Sequence, residues 1–349
     1  MYRLNDKIKK LEPYDPISGT YQIRLDANEC PENLPEEITA ELHKKLDEIA
    51  LNRYPDPLAA GLVNSFAEYY DIDPEFVTAG NGSDELIFLI ESAFLEKGDK
   101  MLVAAPDFSM YKFYSSICEV ECKSFLKNES LDIDVDALID TVDREDIKLV
   151  IFSNPCNPTG RGITKEQAKK LVGSVSALVV LDEAYMDFWD QSLLDEVGSY
   201  SNLIIFRTAS KAVGSAALRL GFAVANPTIS KAIKAVKSPY NVNSLSQAFG
   251  EVIYTHKNYL EKRQKTIVNS REMLYNGLKE ISENVPNFLP YESVANFVFV
   301  KTDASAKIWE YLKSRSIVVR NMGGYLRITA GTAAETNAVL GAIKDYFAG

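Results

Sequence analysis

Lys211 stands one residue after Ser210 and three after Thr208, where the apolar run Ile204-Ile205-Phe206 gives way to polar residues; Arg219 follows eight residues later. A neutral lysine amine attacks carbonyl carbon and forms a Schiff base. Asp182 and Tyr185 sit in a comparable place, where Leu178 to Leu181 runs into Asp182-Glu183-Ala184-Tyr185. Asn154 occupies a third, where Leu149 to Phe152 runs into Ser153-Asn154-Pro155-Cys156-Asn157-Pro158-Thr159-Gly160. Singly, each has a plainer reading. A lysine past a buried strand snorkels to water, and Asp182-Glu183 caps the segment that follows.

The elements around these residues give them a common address. Short apolar runs at 101–105, 119–126, 147–153, 177–182, 203–207 and 220–225 read as buried strands. They alternate with helical stretches, among them one near 164–174, which argues for parallel pairing through right-handed crossovers. In such sheets ligands bind beyond the carboxyl ends of the strands, so Asn154, Asp182 with Tyr185, and Lys211 come to one edge. Upstream, Gly80-Asn81-Gly82-Ser83-Asp84-Glu85 opens a strongly apolar helix. Such a turn offers unpaired N–H groups to a phosphate, and an ordinary Ser83 or Asp84 N-cap explains it equally well.

The flanks differ in character. Residues 1–34, broken by Pro and Asn, form an extended arm. Pro35 then opens a helix with Ile38, Leu42, Leu46 and Ile49 on one face. A proline-bearing connector, Asn52-Arg53-Tyr54-Pro55-Asp56-Pro57, leads to a helix near 58–70. From Ser244 a helical pattern runs with few breaks to Ile281. Strands at 296–300, 316–320 and 325–329 with helices at 304–314 and 334–347 then make an α+β unit. The division is an arm over 1–34, a large domain over 35–250 and a small one over 251–349, with the boundary falling within 240–285.

Composition narrows the partners. A net charge of −11 opposes a nucleic-acid surface, and no apolar run approaches the roughly 18 residues of a membrane span. Met1-Tyr2-Arg3-Leu4-Asn5-Asp6 is no signal peptide. Four cysteines without paired spacing and two histidines give no metal site and point to reduced thiols in the cytoplasm.

In order, spacing and strand context, these motifs resemble the fold-type I pyridoxal-phosphate (PLP) aminotransferases, most closely those of the histidinol-phosphate group, from Pro13-Tyr14 to Leu326-Arg327-Ile328-Thr329. The resemblance implies an α/β fold: a mostly parallel seven-stranded sheet flanked by helices, a smaller α+β C-terminal domain and an N-terminal arm. It assigns Lys211 the Schiff base, and Asp182 the ring nitrogen, whose proton the carboxylate retains. Asn154 and Tyr185 go to the phenolic oxygen and Phe108 to the ring face. The cofactor phosphate falls to Gly82, Ser83, Asp84, Thr208, Ser210 and Arg219, joined by Tyr54 from a second subunit of a homodimer. Here the chain reads Gly214-Ser215-Ala216-Ala217-Leu218-Arg219 where a glycine–leucine–alanine–glycine pattern is common. The resemblance further places Tyr14, Arg320 and Arg327 around the donor's phosphate, Arg327 on the acceptor's carboxylate, and Asn28 along the pocket. The implied reaction is a ping-pong transfer from histidinol phosphate to 2-oxoglutarate, in histidine biosynthesis. An aromatic amino acid aminotransferase and a PLP-dependent phosphothreonine decarboxylase share the framework. A PLP-binding regulator would bring a basic DNA-binding segment, which this chain lacks.

Overall fold

The structure, a computed structural model, describes residues 2–9, 11–13 and 17–349. The first half of the chain carries β1 (Ile23–Leu25), α1 (Glu36–Asp47), α2 (Ala60–Tyr70), β2 (Val77–Asn81), α3 (Ser83–Phe94), β3 (Lys100–Ala105), α4 (Met110–Cys118), β4 (Glu121–Leu126), α5 (Val135–Glu145) and β5 (Leu149–Ser153). Then come α6 (Lys165–Ser174), β6 (Leu178–Asp182), β7 (Leu203–Thr208), β8 (Leu220–Ala225), α7 (Pro227–Val236), α8 (Ser244–Thr255) and α9 (Lys257–Ser282). The chain closes with β9 (Phe288–Pro290), β10 (Phe297–Thr302), α10 (Ser305–Ser314), β11 (Ile317–Asn321), β12 (Tyr325–Thr329) and α11 (Ala333–Ala348).

Seven strands form the large sheet in the order β2-β8-β7-β6-β5-β3-β4. Its central strands are apolar over most of their length because both faces are covered. In β5, Val150 and Phe152 enter one core while Leu149 and Ile151 enter the other. Each such side chain, removed wholly from water, contributes about 1.5–3 kcal/mol. Pairing is parallel from β4 across to β7, but β8 runs antiparallel to both β7 and β2. The link from β7 to β8 explains this: residues 209–219 hold only a 3₁₀ turn at Ala216–Leu218, too little for a parallel crossover.

The small sheet has the order β1-β11-β12-β10-β9. Its first strand comes from the N-terminal arm and lies parallel to β11, Ile23 facing Ile317. The helical pattern after Ser244 breaks at His256, whose ψ of 50° leaves helical geometry. The break lets α8 pack on α1 and α2 while α9 crosses to the small sheet, where Leu274, Leu278 and Ile281 join its core.

Candidate active site

β5, β6 and β7 lie side by side and parallel, so their carboxyl ends bring Asn154, Asp182 and Lys211 to one edge. Lys211 is half-buried by exposed area yet densely enclosed by protein. Its Nζ donates to the Ala27 carbonyl at 3.0 Å and stands 5.9 Å from the centre of the Tyr185 ring. Desolvation first, and the Arg327 guanidinium second, bring its pKa down to about 8, against the pull of Glu29. A neutral amine is thus accessible near neutral pH, as carbonyl attack requires.

Asp182 ends β6 in a dry setting. Tyr111 donates its hydroxyl to Oδ2 at 2.7 Å and the Ala184 amide donates to Oδ1 at 3.2 Å. Burial lifts its pKa to about 7 in spite of both donors. Among the described residues it forms no ion pair. Tyr185 accepts from Asn28 Nδ2 at 2.9 Å, and burial pushes its phenol up to about 12, so it stays protonated. Asn28 does not line an open wall. Its backbone amide donates to Thr329 Oγ1 at 3.1 Å and its carbonyl accepts from Asn296 Nδ2 at 3.1 Å. Phe108 lies half-buried, its ring edge-on to Tyr111 at 5.6 Å.

An anion cradle lies beside this group. α3 starts directly after β2; Gly82 precedes it with φ 82°, and no side chain caps the helix. Gly221 backs this turn, and a Cβ there would strike the Gly82 carbonyl carbon and the Ser83 amide. Arg219, at φ 52°, lays its guanidinium across Gly82 and meets Asp84 at 3.3 Å. The Thr208 hydroxyl lies 3.0 Å from both Ser210 Oγ and the Leu220 carbonyl. Helix-start amides, hydroxyls and a guanidinium together suit a phosphate dianion.

The two asparagines after β5 have different tasks. Asn154 is closed on Ile163, accepting from its amide at 2.9 Å and donating to its carbonyl at 3.2 Å. Asn157 instead accepts at Oδ1 from Arg327 Nη1, across to the small sheet. The sequence reading took the first asparagine and passed over the second. It also missed Tyr111, three residues after Phe108 and so about one helical turn on. Behind the site, Arg207 binds Glu183 at 2.8 Å and Asp187 at 2.7 Å, holding the segment that follows Asp182. A buried arginine inside an apolar strand was the available signal for it.

From the small sheet, Arg320 and Arg327 face each other in register on β11 and β12. Arg327 is buried, donates to the Asp26 carbonyl at 2.7 Å and lies 5.5 Å from the Phe297 ring centre. Tyr14 lies outside the described residues. Tyr54 is 80% exposed and stacks on Tyr240 with ring centres 4.5 Å apart.

Three features suit pyridoxal phosphate. A buried carboxylate without a cation matches a protonated ring nitrogen, an uncapped helix start under Arg219 matches the phosphate, and an amine of lowered pKa matches the carbonyl carbon. Among the described residues no cluster of His, Cys, Asp and Glu could hold a metal ion, and no helix is long and apolar enough to cross a membrane.

The family profile of aminotransferase class I and II matches residues 20–343. A histidinol-phosphate aminotransferase of Clostridium novyi is 40% identical over 342 residues, covering 97% of this chain and 95% of that protein. Among solved structures, the histidinol-phosphate aminotransferase of Sinorhizobium meliloti in complex with pyridoxal-5'-phosphate superposes with a TM-score of 0.88 at 21% identity, covering 99% of this chain and 97% of the other. L-threonine-O-3-phosphate decarboxylase of Porphyromonas gingivalis superposes with a TM-score of 0.80 at 21% identity, covering 94% and 100%. Fold alone therefore does not separate transferase from decarboxylase.

Proposed function

The chain belongs to the class I and II aminotransferase family, and on that premise we propose that it moves the amino group of L-histidinol phosphate to 2-oxoglutarate, in histidine biosynthesis. Its cofactor is pyridoxal 5'-phosphate. The observation that carries the donor is the direct opposition of Arg320 and Arg327 on the small sheet. Two guanidiniums brought to one strand pair suit a dianionic phosphate, which accepts several charge-assisted hydrogen bonds at once. The 40% identity to a curated histidinol-phosphate aminotransferase supports the same choice.

Bound pyridoxal phosphate supplies an aldehyde carbon that takes up amino groups and a ring that withdraws electrons from the substrate Cα. The residues divide the remaining work. Gly82, Ser83, Asp84, Thr208, Ser210 and Arg219 hold the phosphate, and Phe108 covers a ring face. Asp182, pre-set by Tyr111 and in no ion pair among the described residues, keeps the ring nitrogen protonated. Tyr185 serves the phenolic oxygen, and Asn157 takes the place given above to Asn154, whose amide is engaged by Ile163. Lys211, its pKa brought down to about 8, takes the proton from Cα and returns it as a general acid. Arg327, with Arg320 and Tyr14, holds the donor's phosphate and then the acceptor's carboxylate.

The working units are the arm (1–34), the large domain (35–250) and the small domain (251–349). A homodimer in the cytoplasm completes the proposal. Tyr54 and Tyr240, stacked and exposed, fit a segment that reaches a neighbouring subunit, and the four cysteines are free thiols. The test is a donor screen with 2-oxoglutarate, following glutamate and carbon dioxide. Histidinol phosphate should be the fastest donor. Phenylalanine as the better donor would move the assignment to an aromatic aminotransferase, and carbon dioxide from phosphothreonine would move it to a decarboxylase.

A further inference from the structure

Beneath the asparagine turn lies a charged group that cofactor binding leaves unexplained. The side chains of Asp107 and Lys127 are 2% and 1% exposed and lie 3.7 Å apart. Lys127 Nζ also donates to the Pro106 carbonyl at 2.7 Å and to Cys156 Sγ at 2.8 Å. The Asp107 carboxylate accepts from the Phe108 amide at 2.8 Å, from the Ser153 amide at 3.3 Å and from the Ser153 hydroxyl. Ser153 Oγ accepts in turn from the Asn157 amide at 2.9 Å, and Asn157 Oδ1 accepts from Arg327 Nη1. An unbroken path thus runs from a buried cation on the large sheet to a guanidinium on the small one.

A buried ion pair adds little stability over a well-packed apolar pair. A satisfied polar network does fix direction, because each member has one arrangement that satisfies its neighbours. Ser153 Oγ gives its single proton to Asp107, so its lone pairs must face the Asn157 amide. We propose that Ser153 is a positioning residue for the reaction: its hydroxyl, anchored on the Asp107–Lys127 pair, fixes the Asn157 turn and through it aims the Arg327 guanidinium at the substrate anion. The proposal rests on the substrate-binding reading of Arg327 given above. Without that hydroxyl, the Asn157 amide loses its acceptor and the turn is free to rotate. Arg327 then keeps only the Asp26 carbonyl of these two partners.

The test uses the holoenzyme and glutarate, an unreactive dicarboxylate, titrated by calorimetry alongside steady-state kinetics. Ser153→Ala should weaken glutarate about tenfold, the worth of one hydrogen bond. It should raise KM for donor and acceptor by a similar factor, more than it lowers kcat, while cofactor affinity, carried chiefly by the phosphate cradle and Asp182, falls by less than glutarate affinity does. Ser153→Thr, which keeps the hydroxyl, should bind glutarate almost as the native protein does. The double variant Ser153→Ala, Asn157→Ala should be no weaker than Asn157→Ala alone, since both act on one link. Native glutarate affinity in Ser153→Ala, or losses that multiply in the double variant, would overturn the proposal. Should Ser153→Ala not fold, Ser153→Cys carries the same comparison through its weaker donor, with a smaller loss expected and no loss overturning it. Arg327→Lys separates the two readings: unchanged glutarate binding there would remove Arg327, and the proposal with it, whereas a loss there with none in Ser153→Ala would remove only Ser153.

Discussion

The proposed ring end and the proposed phosphate end of the site share one sheet edge and are built in opposite ways. Asp182 is 4% exposed and gripped at 2.7 Å by a tyrosine hydroxyl. The Arg219 side chain is 45% exposed and reaches Asp84 at 3.3 Å. A group that steers electrons must be aimed before the reaction starts, because reorganising it would raise the barrier. A group that only retains a dianion can stay hydrated and be completed by its ligand. The ring end should therefore govern rate and the phosphate end affinity.

The strongest challenge to that division is Lys211→Ala. Turnover should fall by roughly a thousandfold or more, while the phosphate cradle still retains cofactor, measured by equilibrium dialysis. Next in size, Asp182→Asn should lose about a hundredfold or more in kcat with the cofactor still bound.

The same carboxylate makes a prediction about stability. Its folded pKa of about 7 lies above the ordinary 3.8, so the folded apoprotein keeps a proton that the unfolded chain releases. Its contribution is whole below about pH 4 and is lost as pH rises to about 7. The amide cannot ionise, so cofactor-free Asp182→Asn should be more stable than the native apoprotein at pH 8, by about 2–4 kcal/mol in urea, and not at pH 4.

At the phosphate end, Arg219→Ala should weaken cofactor about tenfold to a hundredfold through one lost charge-assisted contact. The apoprotein's melting temperature should barely move, because its ion pair is exposed. The smallest effect sharpens the ring end. Arg327→Met removes a positive neighbour of Lys211, so the midpoint for labelling that amine in the apoprotein should rise from about 8. An unchanged midpoint would show that desolvation alone sets it.

Much of this was legible in the sequence where the chemistry follows the strands. Lys211, Asp182 and Tyr185 each sit within a few residues of the end of an apolar run, and the sheet brings the ends of those runs to one edge. The order of β7 and β8 was less visible, since an apolar run carries no direction; the short 209–219 link decides it. Asn154 and Asn157 show another limit. Both follow the same strand, and only the return of Ile163 onto Asn154 reveals which amide is engaged. Helices such as α5 went unread because they touch no motif, although Asp134 caps its start. Tyr111 stayed hidden because its role depends on a partner 71 residues away.

The pairing of β1 with β11 bears on how the chain is made. All seven strands of the large sheet lie between Val77 and Ala225, so that sheet can close while α9 and the strands β9 to β12 are still being synthesised. β1 leaves the ribosome before any of them, yet its partner at Ile317 emerges only after the whole of that sheet. From the closing of the large sheet until β11 emerges, β1 has no partner strand, and an unpaired edge of this kind recruits other chains. Messages truncated between the codons for residues 230 and 310 should yield products with a closed large sheet and an unpaired β1. Those products, more than shorter ones, are where demand for chaperones on this protein should concentrate.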